Sequence, residues 1–90
     1  MDLFCSSEAF LHFDGAVLEC FSGTQHSNGR VHAATIREIK VDRAKGRNYL
    51  QPHLTWGSTP FLVYFDDDRA EAVAALVAEV LAVRDRLWGK

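Results

Sequence analysis

Apolar and polar positions alternate with a period of two over the first two-thirds of this chain, and the period then lengthens. The clearest local signal is "EAFLHFDGAVLECF", two apolar runs around Asp14-Gly15. A type I′ turn needs positive φ at both central residues, which Asp-Gly supplies, so the stretch predicts a β-hairpin. A two-residue loop pairs Phe13 with Ala16, His12 with Val17, Leu11 with Leu18, Phe10 with Glu19 and Ala9 with Cys20. One face then carries Ala9, Leu11, Phe13, Ala16, Leu18 and Cys20, all apolar. The other carries Phe10, His12, Val17, Glu19 and Phe21, a mixture. Such sorting implies one buried face, because a slip by one residue would turn the whole apolar set to water.

"SGTQHSNG" clusters Gly, Ser and Asn without periodicity and reads as a loop. "RVHAAT" begins another strand. In "IREIKVD", Ile39 and Val41 point one way and Glu38, Lys40 and Asp42 the other. "RAKGR" is a polar turn. "NYLQPHLTW" puts Leu50, Leu54 and Trp56 on one side and Tyr49, Gln51, His53 and Thr55 on the other. Pro52 lacks a ladder donor, so this strand lies at an edge or is bulged there. "FLVYF" is a strand with Phe61, Val63 and Phe65 on one face and Leu62 and Tyr64 on the other. From about Asp68 to Trp88 the period becomes 3.6. Val73, Leu76, Val77, Val80, Val83, Arg84 and Leu87 form one stripe, apolar except for Arg84, and Gly89 supplies a stop. Six or seven strands followed by one helix predict an α+β, mainly β class: a bent antiparallel sheet or partly open barrel capped by a C-terminal amphipathic helix. Residues 1–90 make one domain, with strands over about 3–65 and the helix over about 68–88.

This pattern resembles the small bacterial pleckstrin-homology-like (PH-like) domains, and within them an uncharacterised actinobacterial family. The likeness rests on "FLHFDG" followed by "AVLECF", on "ATIREIKV", on "TPFLVYF" and on "DDDRAEAVAALVAEVLAVRDRL". It implies a strongly bent sheet closed at one end by the terminal helix, and a binding or assembly module, often self-associating, rather than an enzyme. One departure matters. Phosphoinositide-binding members of the wider PH family carry basic residues between the first two strands, whereas here that loop is Asp14-Gly15. The resemblance therefore does not extend to lipid headgroups.

Composition narrows the partners. The net charge of −2 gives no field that would draw the chain to DNA or an anionic membrane. No apolar run approaches the length of a membrane-spanning helix. "MDLFCSSEAF" has neither a basic start nor a long apolar stretch, so no secretion signal is read. Cys5 and Cys20 read as two reduced thiols of a cytoplasmic protein, with a bridge open to them only if their strands lie side by side.

Asp66, Asp67 and Asp68 invite a reading as a metal or catalytic cluster. Successive strand residues point to opposite faces, however, and a calcium loop spreads its oxygens over about 12 residues around a Gly. Asp68-Arg69-Ala70-Glu71 has capping-box spacing, so Asp68 and Glu71 are expected to cap the helix. His12, His26, His32 and His53 show no zinc spacing. No nucleophile elbow or phosphate loop is present, and a site assembled from distant residues such as His32 and His53 has no local support. No cofactor and no metal are expected. Arg43, Lys45 and Arg47 alternate around Gly46 and form the one candidate anion site, although Glu38 and Asp42 offset their charge. What remains is an apolar excess on outer faces: Phe10, Val17 and Phe21 on the hairpin, Leu62 and Tyr64 on the last strand. If those strands are neighbours the five form one patch, and such patches mark interfaces. The expected function is a non-enzymatic interaction or assembly module whose partner is itself or another protein; the alternative is an anion- or ligand-binding module using the basic turn.

Overall fold

The computed structural model describes residues 1–22 and 28–89. Most of the expected "SGTQHSNG" loop, including His26, lies outside the described residues. Seven strands precede one helix: β1 (Asp2–Phe4), β2 (Ala9–Phe13), β3 (Val17–Ser22), β4 (Gly29–His32), β5 (Ile36–Ala44), β6 (Arg47–Leu54), β7 (Val63–Phe65) and α1 (Ala70–Leu87). Short 3₁₀ turns at Ala33–Thr35 and Asp67–Arg69 lead into β5 and α1. The strands form two antiparallel sheets, β1-β2-β3-β4 and β5-β6-β7, so the class is α+β, mainly β, and the sheet is not closed into a barrel. A backbone bond ties the sheets at one corner. The Asp66 N–H, just after β7, donates to the Cys5 carbonyl, just after β1, at 2.9 Å, while the Thr55 N–H to Thr35 carbonyl bond at 2.9 Å extends the β5–β6 ladder by one step.

The hairpin forms, but its register is two residues from the expected one. Phe13 pairs with Leu18, Leu11 with Cys20 and Ala9 with Ser22. The loop centre is therefore Gly15-Ala16, with Gly15 at φ 100°. The Asp14 carboxylate explains the shift. It accepts the Ala16 N–H at 2.8 Å and the Val17 N–H at 2.7 Å, the local bonding that makes Asp a turn residue. Those bonds, Val17 foremost, hold the Asp14 carboxyl below its ordinary range. Because the shift is an even number of residues, the faces survive: Ala9, Leu11, Phe13, Leu18 and Cys20 are all buried. The turn with positive φ at both central residues lies instead at Lys45 (φ 53°) and Gly46 (φ 76°), between β5 and β6.

Cross-strand partners share a face, so Val41, Leu50 and Val63 form one row over the core. Leu50 and Val63 are buried, but Val41, on the edge strand, is 46% exposed, more than its alternation suggested. Ile39 packs partly against the core. Trp56 falls beyond the end of β6, where strand alternation no longer applies, and is exposed rather than inward-facing. Pro52 pairs with Ile39 on one side, while β7 stops opposite Leu50 on the other. Locally β6 is thus an edge at Pro52, even though it is the central strand. The bulge of this pair lies elsewhere, between Ile36 and Glu38.

One core joins both sheets to α1, which contributes Val73, Leu76, Val80 and Val83, with Val77 and Leu81 partly buried. Fully burying each such side chain is worth about 1.5–3 kcal/mol. Leu87 belongs to the expected stripe but is exposed, because the helix ends there. Arg84 interrupts the stripe usefully. It donates to the Arg37 carbonyl at 2.7 Å, pairs with Asp85 and lies 4.7 Å from the Trp88 ring centre, while the Trp88 indole N–H donates to the Ala34 carbonyl at 2.8 Å. Gly89, at φ 78°, ends the helix as expected. Gly29 permits another close approach, since a Cβ there would meet the Phe61 ring at 3.1 Å.

Cys5 and Cys20 are free and buried. Desolvation pushes their thiols up, to about 11 for Cys5 and about 12 for Cys20. Only the thiolate attacks an alkylating reagent. In the folded protein at pH 8, both thiols are therefore expected to resist iodoacetamide and to react promptly once guanidinium unfolds the chain. Mass spectrometry of timed samples checks this; rapid alkylation in native buffer would contradict the buried placement.

Candidate functional site: the outer face of the four-stranded sheet

Pairing in β1 to β4 lays the outward side chains in rows across the strands. Asp2 pairs with His12, His12 with Glu19, and Glu19 with Arg30. Phe4 pairs with Phe10, and Phe10 with Phe21. A band of three aromatic rings thus runs beside a row of four ionisable groups. Phe4 and Phe10 ring centres are 4.7 Å apart and those of Phe10 and Phe21 6.3 Å, both tilted, within the range where aromatic pairs attract. Phe4 is 61% exposed and Phe21 50%. In the polar row, Asp2 bonds the His12 Nδ1 and Arg30 donates to Glu19 at 3.3 Å. The bond from His12 holds the Asp2 carboxyl below its ordinary range.

Of the five expected interface residues, Phe10 and Phe21 join this band. Val17 lies on the same face but two rows away, beyond Glu19 and opposite His32. Tyr64 lies on β7 in the other sheet and Leu62 just before that strand, so the five expected residues do not share one sheet face. A shallow cleft lined by Ser6, Glu8, Ala9, Ser22, Arg47 and Tyr64 lies between. The Tyr64 ring is instead covered by the Arg47 guanidinium, 3.8 Å from its centre. Phe4, Asp2 and Arg30 were missed in the sequence. Three residues of β1 are too few for alternation to register, and only the pairing with β2 reveals Phe4 as part of the band.

The basic turn is largely engaged within the chain. Arg43 donates to Asp67 at 2.9 Å, to Asn48 at 3.0 Å and to the Gly46 carbonyl at 3.0 Å. Arg47 covers Tyr64, and Lys45 sits at the hairpin tip. Asp67 also accepts from the Asn48 amide; Asn48 first, and then Arg43, holds its carboxyl below the ordinary range.

The expected capping by Asp68 and Glu71 is corrected by this arrangement. The residue flanking α1 is Arg69, with no side-chain cap bond, and Asp68 lies inside the 3₁₀ turn. That turn supplies the helix's first partners through the backbone: the Arg69 N–H donates to Asp66 and the Ala70 N–H to Asp67. Glu71 occupies the first turn of α1, where a carboxylate suits the positive end of the helix dipole.

His32 accepts the Ala34 N–H at 3.1 Å and so starts the turn before β5, whereas His53 stands opposite Glu38. Among the described residues, no group of three His, Cys, Asp or Glu side chains is placed to hold a metal ion, and no helix is long and apolar enough to cross a membrane. Compared with family models, curated proteins and solved structures, the chain matches none.

The Asp67 contact has a defined pH sign. A carboxyl whose folded pKa is lowered stabilises the fold above its unfolded pKa and loses that contribution as pH falls through the folded value. Asp67→Ala should therefore lower the melting temperature at about pH 6, and the gap to wild type should close towards about pH 2, below the ordinary carboxyl range. Calorimetry across that interval checks it; a gap independent of pH would mean that the Asp67 charge is not what Arg43 and Asn48 hold.

Proposed function

We propose that this protein is a non-enzymatic interaction and assembly module that associates with itself through the outer face of its four-stranded sheet. One observation carries the proposal: Phe4, Phe10 and Phe21 stand in ring contact with one another on a solvent-facing surface. Single exposed apolar residues are ordinary, but contiguous aromatic surface beside polar groups is the composition of an interface. The order of seven strands and one terminal helix supports the reading as a bacterial PH-like domain, a group of binding and assembly modules.

Light scattering after gel filtration tests the proposal. Wild-type protein should gain mass with concentration into the high micromolar range. Phe10→Ser with Phe21→Ser should remain monomeric with an unchanged circular dichroism spectrum. Phe4→Ser, at the most exposed of the three phenylalanines, should weaken assembly in the same direction without touching the core. Wild-type protein that stays monomeric throughout, or assembly that survives these changes, would overturn the reading.

A further inference from the structure

Resting on that reading, we infer that the partner is a second copy of this chain seated face to face, related by a two-fold axis parallel to the strands and passing between β2 and β3. The polar row carries the argument. Read from β1 to β4 it is Asp2, His12, Glu19, Arg30: acid, base, acid, base. A two-fold parallel to the strands keeps each row at its own height and reverses its order. Asp2 then faces Arg30 of the second copy, and His12 faces Glu19 of the second copy. Each contact occurs twice, and every one joins a basic group to an acidic one.

The same operation sets Phe10 against Phe21 of the second copy and the reverse, while Phe4 lies at the edge of the contact, opposite the start of β4 of the second copy. Sliding one sheet by a row along the strands would instead set Phe10 and Phe21 against charged groups. Turning the second copy so that its strands run the opposite way sets the aromatic row against the polar row, or, with the axis through the aromatic row, aligns the rings but carries the two polar rows to opposite sides of them. Rows and bands are satisfied together only in the first arrangement. It also suits sheet packing, since stacked sheets keep their strands within about 30° of one another. Such a contact is isologous: the same patch is used on both copies, so assembly stops at the dimer.

Within one copy, Asp2 already bonds His12 and Glu19 already bonds Arg30. Both pairs are solvent-facing, with side chains 61% exposed at Asp2 and 75% at Arg30. The ends of the row thus retain accessible charge with which to meet the partner.

Charge exchange between copies tests the arrangement. Sedimentation velocity should show that Asp2→Arg and Arg30→Asp each weaken the homodimer by about tenfold or more, because two like-charge contacts replace two attractive ones. An equimolar mixture of the two variants should return to near wild-type affinity as a heterodimer, since Arg at position 2 then meets Asp at position 30 across the interface. The mixture cannot repair pairs inside one copy, so its recovery reports contacts between copies alone. Lys40→Glu, on the other sheet, changes the net charge as much as Arg30→Asp and should leave the dimer intact.

Single variants that weaken assembly without recovery in the mixture would overturn the two-fold pairing. So would single variants with no effect, or a Lys40→Glu loss equal to theirs. In each of those cases, dissociation by Phe10→Ser with Phe21→Ser would leave self-association standing. A monomeric wild type would remove both. Circular dichroism of each variant separates lost assembly from lost fold.

Discussion

One helix and two small sheets share a single core, and that limit governs the rest of the molecule. Each sheet can turn only one face inward, onto Val73, Leu76, Val80 and Val83 of α1 and onto its opposite number. The inner faces are accordingly uniform: Leu11, Phe13, Leu18 and Cys20 from one sheet, Leu50, Val63 and Phe65 from the other. The outer faces are then free to differ, and they do. The three-stranded sheet shows Lys40, Asp42, Gln51 and an arginine-covered Tyr64 to solvent, whereas the four-stranded sheet shows three phenylalanine rings. A domain of this size buries a smaller share of its surface than a large one, so an apolar face of this kind has more to gain from being covered.

Parity was legible in the sequence, and register was not. Alternation in "AFLHF" and "VLEC" settles which residues face inward, because the pleat admits only two choices. The choice of loop depended on a finer competition. Asp-Gly suits positive φ at both centres, but the Asp14 carboxylate gains more by accepting two backbone N–H groups, and this moves the loop to Gly15-Ala16. Lys45-Gly46 has no such carboxylate at its first position and adopts the paired positive φ values. Alternation also overstated burial at Val41 and Trp56. Facing the core side is not the same as reaching the core, and an edge strand or a strand end falls short of it.

The aspartates show the same division. Their position between strand and helix was legible. Their partners were not, because Arg43 lies 24 positions from Asp67 and meets it only through the β5–β6 hairpin. What looked like the start of a helix is also a contact at the base of that hairpin's tip. It engages Arg43, which would otherwise be the centre of a basic cluster. One member of the candidate anion site is thus held by one member of the acidic run, and the structure reveals this only by bringing distant segments together.

The outer band depends on a similar juxtaposition. Phe10 and Phe21 are readable from the hairpin, but two rings do not make a surface. The third comes from β1, whose three residues carry no pattern of their own and take their meaning from pairing with β2. That strand also brings Asp2 beside His12 and so completes the alternating row. A hairpin alone would present His12 and Glu19, a single pair that is already complementary to its own reverse. With β1 and β4 added on its two sides, the row has Asp2 at one end and Arg30 at the other, and that complementarity extends over four groups. The full alternating row is therefore a property of the four-stranded sheet as a whole, and a sequence motif within any one strand cannot express it.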